Sequence, residues 1–262
     1  MAAVTAVIAA AGSGERLGAG GPKAFVPLAG RPMIEWSIDA FRACDSIAAI
    51  VVAVPPGLVD GGSMKAGEGK PALESREQAI GPAIEILAGG STRAESVANA
   101  IAAVETELVA IHDAARPLLT PELVTELVAV LESDPEASGA IAAAPITDTV
   151  KRATLPADRS SPTFSSIETG KVGLAIETTL DRSTLWGAQT PQVFRTEGLR
   201  EAIAAAPNHL DAATDEAMLL ERAGGIVLIH PSGPGNLKVT TPLDLKVAEL
   251  LLAERPGPGA PD

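Results

Sequence analysis

The chain has 262 residues, of which 46% are hydrophobic and only 2% aromatic, and its formal net charge is −13. This length is enough for one large domain with a substantial core. Because aromatic residues are scarce, we expect a core of Ala, Val, Ile and Leu, as parallel α/β sheets often have. The negative charge argues against a surface that binds nucleic acid or anionic membranes.

Cysteine content and hydropathy point to a cytoplasmic protein. The single cysteine, Cys44, excludes an internal disulfide, which fits a reducing compartment. No apolar run approaches the length of a membrane span, so we expect no membrane association. The apolar start of the chain lacks a basic region before it and leads directly into a glycine loop, which does not fit a signal sequence.

A glycine-rich loop follows the first predicted strand. The apolar run of residues 4–11 predicts a buried strand, and the next segment, residues 12–18, contains three glycines. Glycines let the backbone approach a ligand closely, and successive free N–H groups there can cradle an anion. Arg16 and Lys23 add two positive charges to the same loop. The loop therefore predicts a phosphate site.

The spacing of the glycines distinguishes this loop from two common phosphate loops. The dinucleotide fingerprint needs a small residue where Leu17 stands, and the third glycine comes one place late at Gly18. The P-loop needs its lysine directly after a glycine, whereas Pro22 precedes Lys23. A dehydrogenase is therefore disfavoured. The alternative without chemistry is a β-to-α turn whose glycines only make it tight.

Hydrophobic patterning, glycine, proline and capping residues predict the remaining elements. The predicted strands are 50–54, 83–87, 108–111, 139–144 and 226–229, and the predicted helices are 33–43, 92–104, 120–131, 196–206, 214–223 and 241–254. Thr120 and Thr214 are the predicted caps of their helices. Residues 55–82 are predicted to be a flexible excursion, 145–182 an extended arm and 255–262 a flexible tail. Residues 1–254 then form a single domain.

The segment after the strand 83–87 is a second candidate binding segment. Gly90 and Ser91 offer backbone groups at the carboxyl end of a strand, where open α/β sheets bind ligands. Ser96, about one turn into the next helix, could add a hydroxyl. The simpler interpretation is a capped helix, because Thr92 and Glu95 have the spacing of a capping box.

A third candidate segment, His-Asp-Ala-Ala-Arg-Pro, follows the strand 108–111. Asp113 and Arg116, just beyond the strand, could grip a polyol and a phosphate respectively. Alternatively, Asp113 caps a turn and Arg116 is a surface cation. His112 is predicted to be structural, because the strand is still buried at that position.

These segments together resemble a known family. Residues 10–18 with Pro22 and Lys23 resemble the signature loop of sugar-phosphate nucleotidyltransferases. The Gly-Gly-x-x-Arg-x-x-Ser-Val block at 89–97 and the block at 112–117 narrow the resemblance to the 2-C-methyl-D-erythritol 4-phosphate cytidylyltransferases. The resemblance runs from about Val4 to Glu254. It implies an α/β fold of the nucleotide-diphospho-sugar transferase type: a Rossmann-like, mostly parallel sheet flanked by helices, with an extended β-arm.

The resemblance also implies an activity. A cytidylyl group passes from CTP to 2-C-methyl-D-erythritol 4-phosphate, with release of pyrophosphate, in the synthesis of isoprenoid precursors. The expected cofactor is Mg²⁺, held mainly by the CTP phosphates. The family's arm exchanges with a second subunit, which implies a homodimer. Two alternatives stay open: a cytidylyltransferase for another polyol phosphate, such as ribitol 5-phosphate, and a non-catalytic nucleotide-binding regulator.

Roles for individual residues follow from the same resemblance. The residues implied in catalysis are Arg16, Lys23, Arg182 and Lys238. Those implied in binding CTP are Ala10, Ala11, Gly12, Gly14, Arg16, Lys23, Gly90, Ser91 and Ser96. Those implied in binding the acceptor are Asp113, Ala114, Arg116, Thr149, Arg182, Thr190, Thr214 and Lys238, with Arg182 arriving from the other subunit.

Overall fold

The structure is a computed structural model that describes residues 2–12, 14, 17, 21–60, 63–64, 81–154, 174–206 and 210–255. Several predictions lie outside these residues. They are the position of Arg16, most of the excursion at 55–82, the middle of the arm and all but the first residue of the predicted tail.

Nine strands within the described residues are used below. They are β1 (Val4–Ala9), β2 (Ile47–Val54), β3 (Ala83–Ala88), β4 (Leu108–Asp113), β5 (Ala137–Pro145), β6 (Lys151–Thr154), β7 (Ala175–Thr179), β8 (Trp186–Arg195) and β9 (Ile226–Pro231). Seven of them form one sheet in the order β9-β5-β8-β4-β1-β2-β3. Only β8 among these seven runs antiparallel to its neighbours. The predicted mostly parallel sheet is therefore confirmed.

Six α-helices of the described residues flank the sheet. They are α1 (Met33–Arg42), α2 (Arg93–Ile101), α3 (Pro121–Ser133), α4 (Thr196–Ala205), α5 (Glu216–Arg222) and α6 (Pro242–Ala253). The predicted caps of α2 (Thr92) and α3 (Thr120) are confirmed, because the hydroxyl of each accepts from a backbone N–H in the first turn. Thr241 caps α6 in the same way. None of these helices has both the length and the apolar character needed to span a membrane.

The predicted cap of α5 is wrong by one residue. Asp215, and not Thr214, is the N-cap: its backbone is extended, and its carboxylate Oδ1 accepts from Met218 N at 3.1 Å. The carboxylate of Asp215 is the stronger partner for the positive end of the helix. The helix consequently begins at Glu216, which places Thr214 in the preceding exposed segment.

Small aliphatic residues fill the core on both faces of the sheet, as predicted from the composition. On one face, alternate residues of β1 such as Ile8 pack with α1 and α3 through Ile38 and Leu127. On the other face, Val7 packs with α2 and α4. The central strands are buried from both sides, which explains their nearly continuous apolar sequences.

The strand order places a cleft at the carboxyl edge of the sheet. From β1 the chain continues into β2 and β3 on one side, whereas β4 pairs with the other side of β1. Connections therefore diverge above β1 and β4, and such a switch point is where open α/β sheets bind ligands. The loops after β1, β3 and β4 all leave from this edge.

An antiparallel ribbon of β6 and β7 projects from the segment between β5 and β8. All nine of its residues are exposed, including Ile176 at 66%. This ribbon occupies the place of the predicted arm, while its exchange with a second subunit stays a prediction.

Candidate active site

A cavity of about 470 Å³ lies at this edge, between the loops that follow β1, β3 and β4. Ten of the residues predicted for the site line it. They are Ala10, Ala11, Gly12, Gly14, Lys23, Gly90, Ser96, Asp113, Ala114 and Lys238. The three candidate segments identified in the sequence therefore meet in one place. Arg16 lies outside the described residues.

The glycine loop has the backbone geometry that its sequence requires. Gly14 has a φ of +76°, and a Cβ there would lie 2.9 Å from the carbonyl oxygen of Gly21. Lys23 N donates to Gly12 O at 3.1 Å, which fixes the start of a short turn that follows Pro22. The loop thus brings Lys23 back beside its glycines, where the side chain lines the cavity.

The loop after β3 packs closely against the loop after β1. A Cβ at Gly89 would lie 2.9 Å from the Cβ of Ala11, so only glycine permits this approach. Ser96 Oγ accepts from Gly90 N at 3.0 Å and donates to Thr92 O at 2.8 Å. The hydroxyl predicted to contact a ligand therefore holds the Gly90 backbone in place.

Ser91, in contrast, does not line the cavity. Its backbone N–H donates to the Glu95 carboxylate at 2.7 Å, and its hydroxyl donates to the same oxygen. The hydroxyl of Thr92 accepts from Glu95 N at 3.1 Å, so the predicted capping contact forms while the carboxylate of Glu95 also reaches Ser91. The side-chain and backbone hydrogen bonds from Ser91 lower the pKa of Glu95.

Asp113 lies in the cavity wall with a cation on each oxygen. Arg93 Nε donates to Oδ1 at 2.8 Å, and Lys238 Nζ donates to Oδ2 at 2.6 Å. Burial alone would raise the pKa of Asp113, but the two cations outweigh it and hold this pKa far below the usual range. Asp113 is therefore a permanent anion that joins the loop after β4 to the segment that carries Lys238.

Arg93 extends this cluster to a buried carboxylate on α5. Its Nη1 donates to Glu216 Oε1 at 2.7 Å. Burial raises the pKa of Glu216, an effect that Arg93 partly opposes. Arg93 lines the cavity but was not among the predicted site residues, although it is the arginine of the Gly-Gly-x-x-Arg block. Nothing local in the sequence indicated Glu216.

His112 is structural, as predicted, because its ring is fully buried behind the cavity. Its Nδ1 lies 3.1 Å from Thr190 Oγ1, and its Nε2 lies 3.1 Å from Arg116 O. Thr190 Oγ1 also accepts from Asp113 N at 3.0 Å. Burial lowers the pKa of His112 to about 4, so the ring is neutral, and its proton lies on Nε2, which faces the carbonyl.

Arg116 and Thr190 support the site from behind and do not line the cavity. Arg116 is buried, and its Nη1 donates to Asn236 O at 2.7 Å, two residues before Lys238. Burial lowers the pKa of this guanidinium. The contact orients the segment that carries Lys238, whereas a surface cation, the alternative considered for Arg116, is ruled out by its burial.

Three predicted acceptor residues, Thr149, Arg182 and Thr214, are exposed and do not line the cavity within this single chain. Arg182 lies in a short turn before β8, and its Nη1 donates to Thr147 O at the base of the arm. The structure therefore brings together the predicted nucleotide loop, Gly90, Asp113 and Lys238, but not these three residues.

Comparisons with known proteins agree with this geometry. The sequence model of the family described as "IspD: 2-C-methyl-D-erythritol 4-phosphate cytidylyltransferase" matches residues 4–254. The 2-C-methyl-D-erythritol 4-phosphate cytidylyltransferase of Acidobacterium capsulatum is 34% identical, over 96% of this chain and 98% of that protein. The crystal structure of the protein of that name from Thermus thermophilus matches with a TM-score of 0.69 at 30% identity, over 96% of this chain and 99% of that chain.

A further relative is longer than this chain. The bifunctional enzyme IspD/IspF of Anaeromyxobacter dehalogenans is 40% identical over 95% of this chain, which spans 57% of that protein. The similarity to this relative therefore concerns only part of its length.

Proposed function

We propose that this chain, which belongs to the 2-C-methyl-D-erythritol 4-phosphate cytidylyltransferase family, transfers the cytidylyl group of CTP to 2-C-methyl-D-erythritol 4-phosphate. The products are 4-CDP-2-C-methyl-D-erythritol and pyrophosphate, in the synthesis of isoprenoid precursors. The observation that carries the proposal is the single cavity shared by the glycine loop, the Gly90 segment and the Asp113–Lys238 pair.

The chemistry requires two anions to meet. A phosphate oxygen of the acceptor attacks the α-phosphorus of CTP, a new P–O bond forms, and the bond to the pyrophosphate leaving group breaks. The protein must position both reactants in line and stabilise the spread of negative charge. In a chain with a net charge of −13, the cations that do this must be concentrated at the site.

The residues of the cavity divide between the two substrates. The backbone of Ala10 to Gly14 and the Lys23 ammonium hold the CTP phosphates, joined by Arg16, whose role rests on the family motif. Gly90 holds the base through its backbone, which Ser96 fixes. Lys238, oriented by Asp113, grips the phosphate of the acceptor.

Magnesium enters this scheme as part of the nucleotide substrate. Asp113 is the carboxylate in the cavity lining, and both of its oxygens already accept from cations. The described residues contain no group of three or more His, Cys, Asp or Glu side chains placed to hold a metal ion. The donors that fit Mg²⁺ are therefore the CTP phosphates, and the substrate is the Mg²⁺ complex of CTP.

The active form is a cytoplasmic homodimer in which the arm of each subunit crosses to the other. The ribbon of β6 and β7 supports this proposal, because a two-stranded ribbon with every residue exposed has no core of its own. Thr149 and Arg182 lie at its base, so an exchanged arm carries them to the acceptor side of the neighbouring cavity. The buried, unpaired Cys44 fits the cytoplasm.

The experiment is a panel of nucleotides and acceptors followed by pyrophosphate release. CTP with Mg²⁺ and 2-C-methyl-D-erythritol 4-phosphate is expected to give the highest kcat/KM. Faster turnover with UTP or ATP would contradict the assignment of CTP as the nucleotide. Faster turnover with ribitol 5-phosphate would contradict the assignment of 2-C-methyl-D-erythritol 4-phosphate as the acceptor. Stoichiometric CTP binding without turnover of any acceptor would favour a nucleotide-binding regulator.

A further inference from the structure

Glu216 is a buried carboxylate whose hydrogen bonding within the described part of the chain is incomplete. It is the first residue of α5 and only 3% exposed. Its Oε1 accepts from Arg93, while its Oε2 is buried without a hydrogen-bond partner among the described residues. Burying a carboxylate with one oxygen unsatisfied destabilises a fold. Such a local conflict is expected where a residue serves a functional site.

Among the described residues, the charged partner of Glu216 is Arg93, which lies in an unfavourable position. Arg93 is the first residue of α2, and a cation at the N-terminus of a helix opposes the helix dipole. Two carboxylates compensate: Nε of Arg93 bonds Asp113, and Nη1 bonds Glu216. The planar guanidinium therefore bridges the two anions, and this fixes its orientation in the cavity wall.

The bridge determines how Asp113 is shared. Arg93 gives only one nitrogen to Asp113, which leaves Oδ2 to Lys238 at 2.6 Å. Without a carboxylate at position 216, Nη1 of Arg93 loses its partner, and the guanidinium can turn to bond both oxygens of Asp113 through its two terminal nitrogens, a bidentate geometry that arginine favours with a carboxylate. Lys238 would then lose the oxygen that orients it.

We propose that Glu216 is a positioning residue: through Arg93 it keeps one oxygen of Asp113 available to Lys238, and so sets the site that grips the acceptor phosphate. This inference rests on the proposed function. Glu216 contacts no substrate, because it does not line the cavity. Its effect on acceptor binding therefore passes through three contacts, from Glu216 to Arg93, from Arg93 to Asp113 and from Asp113 to Lys238.

The test is the substitution Glu216→Gln, which keeps the volume and removes the charge. The KM for 2-C-methyl-D-erythritol 4-phosphate is expected to rise by about tenfold, the size of one charge-assisted hydrogen bond. The KM for CTP should change less than about twofold, since the glycine loop is untouched. The matched control is Glu197→Gln, which removes an exposed carboxylate paired with Arg200 and should change neither constant.

A second variant tests the other end of the contact and also covers the case in which Glu216→Gln fails to fold. In Arg93→Lys, the lysine has one terminal nitrogen and cannot bridge Asp113 and Glu216. The same rise in the KM for the acceptor, without a rise in the KM for CTP, is therefore expected. In the double variant, Glu216→Gln should add less than about twofold to the effect of Arg93→Lys, because both break one path. Equal rises in both KM values, or independent effects that multiply, would overturn the proposal. Failure of the wild type to use this acceptor would instead contradict the proposed function.

Discussion

Lys238 Nζ donates to Asp113 Oδ2 at 2.6 Å, which joins two segments 125 residues apart in the chain. The contact closes one side of the cavity, and Lys23 lines the same cavity from the glycine loop. Two lysines on separate segments thus face one space, which puts two cations where the proposed function brings a phosphate and a triphosphate together.

Replacement of Lys23 by alanine is expected to lower kcat by roughly two to three orders of magnitude. One preorganised donor to transition-state charge is worth about 2.7–4 kcal/mol. The fold should persist, because the Lys23 backbone contact to Gly12 remains. Steady-state pyrophosphate release measures the effect, and Lys246→Ala, at an exposed position on α6, is the matched control. Normal turnover by a folded Lys23→Ala protein would remove this lysine from the site.

Asp113→Asn is expected to destabilise the protein by about 3–5 kcal/mol at neutral pH, because it breaks a buried ion cluster. The pKa of Asp113 is far lower in the folded state than the ordinary value of about 4 that applies when unfolded. The ionised Asp113 therefore stabilises the fold fully at a pH above its unfolded pKa, and this contribution is lost as the pH falls towards its folded pKa.

Urea unfolding of both proteins between pH 3 and pH 8 measures this dependence. The difference in unfolding free energy should be constant above about pH 5 and shrink below about pH 4. A difference that grows on acidification would contradict the assignment of Asp113 as a permanent anion.

His112 predicts a separate pH dependence. Its pKa is lowered to about 4 by burial, whereas an unfolded histidine titrates near about 6.5. The unfolded state therefore takes up the proton first, and stability falls as the pH drops from about 6.5 to 4. The loss approaches about 3 kcal/mol, because each pKa unit is worth about 1.4 kcal/mol.

The variant His112→Gln should flatten this slope, which can be followed by urea unfolding at several pH values. His230→Gln serves as the control, since the His230 side chain pairs with Glu126 at the surface. A wild-type slope unchanged in His112→Gln would mean that His112 does not remain neutral in the fold.

Sequence patterns predicted the parts of the fold that depend on neighbours along the chain. The parallel strands were visible as apolar runs, and the caps Thr92 and Thr120 were visible as hydroxyls before helical patterns. The antiparallel strand β8 was not predicted, because proline and polar residues interrupt its apolar pattern. The cap of α5 was misplaced by one residue because Thr214 and Asp215 are adjacent capping residues, of which the aspartate is the stronger.

Contacts between distant segments could not be predicted in this way. Arg93 meets Asp113 20 residues away and Glu216 123 residues away, and neither separation leaves a periodic signal. Arg116 is a similar case: its place after a strand suggested a phosphate contact, which stays a prediction, but its contact with the carbonyl of Asn236 could not be read from the sequence. Charge in a sequence indicates that a partner is needed, but the topology of the sheet decides which partner is met.

The proposed arm exchange predicts complementation between two inactive variants. Each cavity is expected to combine Lys23 from one subunit with Arg182 from the other. In a mixed dimer of Lys23→Ala and Arg182→Ala subunits, one site carries both lesions and the other carries neither. Random mixing should restore up to about a quarter of the wild-type activity, since half of the dimers are mixed and each has one intact site of two.

Co-expression with two affinity tags provides the purified mixed dimer for this measurement. The control variant is Arg152→Ala, which removes an exposed arginine on β6. This variant should be active by itself, without mixing with Lys23→Ala subunits. A purified mixed dimer that stays inactive would mean that Arg182 serves its own subunit or no site at all.

³¹P NMR of the reaction products tests whether this cavity joins CTP to a polyol phosphate. With Mg²⁺, CTP and 2-C-methyl-D-erythritol 4-phosphate, we expect loss of the phosphomonoester signal, a pair of coupled phosphoanhydride signals from the new diphosphate bridge, and an equal amount of pyrophosphate. CTP converted to CDP or CMP while the phosphomonoester signal persists would contradict this reaction.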